Sequence, residues 1–309
     1  MSNLARLSLS TLLVLVVAAC SAGGAASPPA SDPGGSGGPS AQPSGAASAP
    51  SASPEFGAIE HKTGATDVLL RLEEGGGFMM PAFTAAQAPQ FTLYGDGTFV
   101  FRNPTIESPA PVGSVMPLNP YRTAKLSEEQ IQELLTFAIA EGGLGTARAN
   151  YGNDMIADAS TTIFTLDAGG LTKVVSVYAL GLEMEGIPDL PARASFKKLA
   201  DRLTDFDQSG TFATDVYVPA QYRGVLLEGQ PGAPDVQAWP WPEVKPADFA
   251  QGLGPEDPPF PSRVMSADEI EALALDFDET GGFMGLPLTG PDGKAYAFAL
   301  RPLLPDETR

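Results

Sequence analysis

Apolar positions in this 309-residue chain fall into short β-type runs punctuated by Gly/Asp turns, and into a few stripes of helical spacing. Asp67-Val68-Leu69-Leu70-Arg71-Leu72-Glu73 has strand composition and stops at Gly75-Gly76-Gly77. Gln90-Phe91-Thr92-Leu93-Tyr94, the turn Gly95-Asp96-Gly97 and Thr98-Phe99-Val100-Phe101 read as a hairpin, a Gly/Asp turn between β-formers. A second hairpin runs from Thr161-Thr162-Ile163-Phe164-Thr165-Leu166, through Asp167-Ala168-Gly169-Gly170, to Lys173-Val174-Val175-Ser176-Val177-Tyr178. Thr214 to Leu227 predicts a strand pair or one bent strand, and Lys294 to Arg301 a terminal strand after Pro291-Asp292-Gly293.

Helices are fewer but better marked. Ser127-Glu128-Glu129-Gln130 is a capping box, with Leu126 and Ile131 at the hydrophobic-staple positions. Ile131, Leu134, Leu135 and Ala138 continue it as one buried stripe, which Gly142-Gly143 ends. The same start signature recurs at Ser266-Ala267-Asp268-Glu269, and a third helix is expected from about Pro191 to Leu203, burying Phe196, Leu199 and Leu203. Strands and helices do not alternate as a doubly wound sheet requires. The expected class is therefore α+β: an antiparallel sheet of hairpins with two or three packed helices, plus a small C-terminal α/β unit.

Two Pro-rich stretches interrupt the pattern. Asn103 to Pro120 reads as a long loop inserted between the first hairpin and the capped helix. Gly229 to Pro261 holds nine prolines and both tryptophans, in Trp239-Pro240-Trp241-Pro242. The expected organisation is a main domain over 55–228, a Pro/Trp-rich linker over 229–261 and a small unit over 262–309. Proline stiffens the Trp segment, and tryptophan buries much area with few torsions, so Trp239 and Trp241 are candidate binding residues. The alternative is that both indoles fold back to seal the junction between the two units.

The amino-terminal end has a different logic. Arg6 and the amino terminus precede an apolar run, Leu7 to Ala19, which is shorter than the roughly 20 residues a spanning helix needs. It ends in Val17-Ala18-Ala19-Cys20, and Cys20 is the only cysteine. This segment resembles the signal peptide and lipobox of bacterial lipoproteins. The resemblance implies cleavage before Cys20 (signal peptide 1–19), acylation of Cys20 with diacylglyceryl and fatty acyl (palmitate-type) chains, and anchoring on the extracytoplasmic face of the cell membrane. More than one acyl chain is what stable anchoring takes. From Ser21 to Pro54 every residue but Asp32 and Gln42 is Ala, Gly, Ser or Pro, so 20–54 is expected to be a lipidated cysteine with a disordered tether. A chain of that length spans about 30 Å root-mean-square.

Charge and composition then exclude several activities. A formal net charge of −19 argues against nucleic acid and anionic lipid surfaces as partners of the body, and the lipoprotein resemblance makes an envelope protein or cell-wall polymer the candidate. With the only cysteine at the anchor, no disulfide, thiolate nucleophile or cysteine metal site is expected. His61 is the only histidine, which argues against a Ser-His-Asp triad or a multi-histidine metal site. Asp154, Asp158 and Asp167 lack the tight alternation of a calcium loop. Lys62-Thr63-Gly64, Tyr151-Gly152-Asn153 and Ser195-x-x-Lys198 match fragments of penicillin-recognising serine enzymes, but in reversed order. No catalytic set, metal site or cofactor is therefore expected.

From Phe91 through the Tyr94-Gly95-Asp96-Gly97 turn, the capped helix and the Thr161–Tyr178 hairpin, the chain resembles a group of uncharacterised bacterial exported domains. The resemblance covers about 67–204 and implies a fold without implying an activity. The expectation is a non-catalytic envelope lipoprotein that binds a partner, with an accessory cell-wall hydrolase or a solute-binding lipoprotein as alternatives. One internal echo stands apart: Gly76-Gly77-Phe78-Met79 and Gly281-Gly282-Phe283-Met284, read as a reused turn that buries a Phe or as a paired binding edge.

Overall fold

The structure is a computed structural model that describes residues 57–78, 80–102, 110–183, 186–207, 210–229, 235–249, 260–275 and 281–307. The signal segment, Cys20 and the Ala/Gly/Ser/Pro tract lie outside the described residues. The strands are β1 (Val68–Gly75), β2 (Phe91–Tyr94), β3 (Thr98–Arg102), β4 (Met116–Pro117), β5 (Tyr121–Lys125), β6 (Asn150–Tyr151), β7 (Thr161–Ala168), β8 (Leu171–Tyr178) and β9 (Asp215–Val216). They continue as β10 (Tyr222–Glu228), β11 (Gln237–Ala238), β12 (Ser262–Met265), β13 (Phe283–Thr289) and β14 (Ala295–Pro302). The helices are α1 (Pro81–Ala85), α2 (Glu128–Ile139), α3 (Leu190–Thr204) and α4 (Ala267–Glu271). Two largely antiparallel sheets result, and the class is α+β with strands predominating.

The first sheet has the order β6-β8-β7-β1-β2-β3-β5-β9. Both expected hairpins are its centre, with Phe91 opposite Phe101 and Phe164 opposite Val175. Strand β7 alternates in burial along its whole length, so Phe164 and Leu166 point to one face. Helices α2 and α3 cover that face with Ile131, Leu134 and Leu135, and with Phe196, Leu199 and Leu203. Burying each such side chain contributes about 1.5–3 kcal/mol. The Ser127 capping box closes as expected, with Gln130 N–H donating to Ser127 Oγ at 3.3 Å. Strand β2 is buried at all four positions because its other face is covered too. Tyr94, Val100 and Tyr121 pack there against Leu304, from the end of the chain.

The second sheet has the order β11-β13-β14-β10-β12, with β4 added to β13. The region from Thr214 to Leu227 is two strands, but they join different sheets: β9 pairs with β5, and β10 with β12 and β14. The stretch from 103 to 120, expected as a plain loop, supplies β4 from its described part. Helix α1, between β1 and β2 in sequence, packs on β10, β13 and β14. The chain thus leaves the first sheet twice to build the second, and the described residues form one compact unit. The second sheet also draws on both sides of 229–261, and the described part of that stretch supplies Trp241, Val244 and Phe249 to its core.

The echoed Gly-Gly-Phe-Met strings diverge. Phe283 lies in β13 and is 2% exposed, whereas Phe78 follows β1 and is 90% exposed. In the buried copy Gly282, at φ +109°, lies against β14, where a Cβ would stand 2.2 Å from the Leu300 carbonyl oxygen.

Candidate binding cleft

The Trp-Pro-Trp-Pro segment leaves β11, which pairs in parallel with β13, and runs across the second sheet. Its prolines lack N–H groups, so the polar contacts fall to the indoles. Trp241 is 3% exposed, its ring 5.2 Å from Phe298, and its Nε1–H donates to the Glu269 carbonyl at 2.7 Å. Trp239 is half-buried, stands edge-on to Trp241 at 5.1 Å, and donates its Nε1–H to the Val244 carbonyl at 2.6 Å. Both tryptophans therefore fold back onto the sheet, and Trp241 is a core residue. Trp239 keeps surface in an open cleft of about 570 Å³.

One wall of the cleft is a single 3₁₀ turn, Pro246–Asp248, fixed by Asp248 Oδ2 accepting from Lys245 N–H at 2.7 Å. Lys245 and Ala247 line this wall and are exposed. The opposite wall is the β13–β14 turn at Gly290-Pro291-Asp292-Gly293. Asp292 accepts from Lys294 N–H at 3.1 Å and from the Tyr296 hydroxyl at 2.7 Å. The Tyr296 hydrogen bond, helped by the Lys294 N–H, holds the Asp292 carboxyl below the usual aspartate range. Burial and then that same contact push Tyr296 up to about 12. Gly290 is required here, since a Cβ would lie 2.5 Å from Asp292 Oδ1 and 2.7 Å from the Tyr296 ring.

The result is an apolar floor of tryptophan and proline with one cation and one carboxylate among its lining residues. Sequence reading found Trp239 and Trp241 and recognised the Pro291-Asp292-Gly293 turn. It missed Asp292 and Tyr296 as neighbours of the tryptophans, because only the β11–β13 pairing brings those segments together, and it missed Lys245, four residues after Trp241, because no motif marks it.

The other fragments do not converge. Lys62 pairs with Asp167 beside the β7–β8 turn at 2.7 Å, while Tyr151 pairs with Val177 towards the far end of β8. Ser195 and Lys198 lie on α3. Asp154 and Asp158 precede β7, whereas Asp167 lies near its end. Among the described residues no group of three or more His, Cys, Asp or Glu could hold a metal ion. His61 is spent locally, its Nε2 3.2 Å from Glu128 Oε1. No protein family, curated protein or solved structure matches this chain.

Proposed function

We propose that the chain is a lipoprotein of the bacterial cell envelope, anchored through Cys20, whose folded body is a non-catalytic binding module using the Trp239 cleft. The observation that carries this reading is the cleft itself. Ligand sites are concave, mostly apolar and provided with a few placed polar groups, commonly at 300–1,000 Å³. A cleft of about 570 Å³ floored by Trp239, with Lys245 and Asp292 among its lining residues, fits that description. Hydrolysis by paired carboxylates requires two acids about 5–10 Å apart, and Asp292 is the only acid among the described residues that line it. The targeting segment and the Ala/Gly/Ser/Pro composition of 21–54 support the anchor, and a module held at a membrane to capture a partner needs no chemistry of its own.

The test is retention on envelope material. A chain begun at Ser21 lacks the acylated cysteine and keeps the body. It should co-sediment with isolated cell envelopes, and Ala247→Phe, which fills the cleft from an exposed position, should abolish that. Equal retention of the two proteins would refute the cleft as the binding site.

A further inference from the structure

We infer that the cleft takes a neutral saccharide, with a sugar ring stacked on Trp239 and its hydroxyls bridging Lys245 and Asp292. This rests on the reading of the cleft as a binding site and adds the chemical class of its ligand.

Three classes of ligand suit a surface of tryptophan and proline: a proline-rich peptide, an organic cation and a saccharide. The hydrogen-bonding state of the cleft separates them. A proline-rich strand offers carbonyl acceptors and almost no N–H donors, so a site for it must supply donors. Here the aromatic donors are committed: Trp239 Nε1–H to Val244, Trp241 Nε1–H to Glu269, and the Tyr296 hydroxyl to Asp292. Such a peptide would also cover the Asp292 carboxylate without offering its remaining lone pairs a proton, so it gives up the water those positions bind and gains nothing in return. An organic cation would gain from the indole and from Asp292 but would meet the Lys245 ammonium in the same cleft.

A saccharide suits every group. Its C–H face packs on an indole that offers area and no free N–H. Its hydroxyls both donate and accept, so they can accept from Lys245 and donate to Asp292. Asp292 has capacity for this: a carboxylate has about four lone-pair positions, and Tyr296 and Lys294 occupy two of them. The ligand should be uncharged, because the described lining residues carry one positive and one negative side chain.

The only two tryptophans of the chain line this cleft, so intrinsic emission reports its occupancy directly. The chain begun at Ser21 is titrated with a β-1,4-linked N-acetylglucosamine tetrasaccharide, with maltotetraose and with a decaproline peptide. A saturable emission change with at least one oligosaccharide and none with decaproline is expected. Lys245→Met should weaken that binding by roughly tenfold, as for loss of one hydrogen bond to a charged group, and Lys245→Arg should keep most of it. Circular dichroism of both variants confirms the fold. Response to decaproline alone, or to no probe, overturns the saccharide assignment. If Ala247→Phe still abolishes envelope retention in that case, the binding reading survives; if retention is unaffected, both fall.

Discussion

Arg71 and Asp306, 235 positions apart, meet through a 2.6 Å contact between Nη2 and Oδ1. The same Asp306 oxygen accepts from the Tyr94 hydroxyl at 2.7 Å, so the 3₁₀ turn Pro305–Glu307 is fastened to β1 and β2 of the first sheet. The neighbouring Glu307 takes two guanidinium nitrogens of Arg301, from β14 of the second sheet, at 2.7 and 2.9 Å. The last turn of the described chain therefore joins both sheets, with Leu303 and Leu304 buried just before it.

Asp306→Ala should lower unfolding stability by about 3 kcal/mol, because it strands a largely buried guanidinium and a buried phenol without their acceptor. Urea unfolding measures this. A variant as stable as the parent would show that the turn merely rests on the first sheet.

The same clasp should give stability a dependence on pH. Burial alone would raise the Glu307 carboxyl, but the Arg301 pair and the Leu304 N–H outweigh it and hold it below 4.5. A group lowered in the folded state stabilises above its unfolded value, and that stability is lost as pH falls through the lower folded value. Glu73 beside it runs the other way: burial raises it despite Arg71, so its contribution is lost as pH rises through the raised value. Arg301→Met should flatten the acid limb of the stability curve below about pH 5, and Glu73→Gln should raise stability near pH 7. Urea midpoints across that range decide both. An acid limb unchanged in Arg301→Met would contradict the first.

Gly97→Ala should cost about 2–3 kcal/mol. The residue has φ +84°, and a Cβ would lie 2.7 Å from the Leu126 carbonyl oxygen. A loss below 0.5 kcal/mol, the ordinary size of a surface substitution, would mean the turn relaxes freely.

This turn was also among the most legible parts of the sequence. Tyr94-Gly95-Asp96-Gly97, the Gly169-Gly170 turn and the Ser127 capping box each announce an element through local chemistry, and each forms where expected. What local chemistry could not announce is which sheet a strand joins. Tyr222–Glu228 has ordinary strand composition, yet it pairs with β12 and β14 rather than with its sequence neighbours in the first sheet. Phe78 and Phe283 sit in near-identical strings, and only long-range packing exposes one and buries the other. The tryptophans were legible as important. Their cleft was not, because its far wall comes from Asp292, roughly fifty positions later in the chain.

Arg193→Met should destabilise by about 3 kcal/mol. The guanidinium is fully buried and donates to the carbonyls of Tyr178, Tyr151 and Gly152, at 3.0, 3.3 and 2.5 Å. A thioether fills part of the volume and leaves those three acceptors unpaired. Thermal unfolding gives the answer, and an unchanged midpoint would show that water replaces the guanidinium.

The proposed anchor predicts that Cys20→Ser abolishes acyl labelling and releases the protein from the membrane fraction. Membrane fractionation with metabolic labelling by palmitate tests it. Unchanged retention with no label in the parent protein would refute the anchor.

The most direct test of the cleft is hydrogen–deuterium exchange on the Ser21 chain, free and bound to envelope material. Binding in the cleft should slow exchange across Trp239–Phe249 and Asp292–Tyr296 and leave the rest of the body unchanged, including the exposed loop around Phe78. Protection centred on Phe78, or no protection while the protein is bound, would place the binding surface elsewhere.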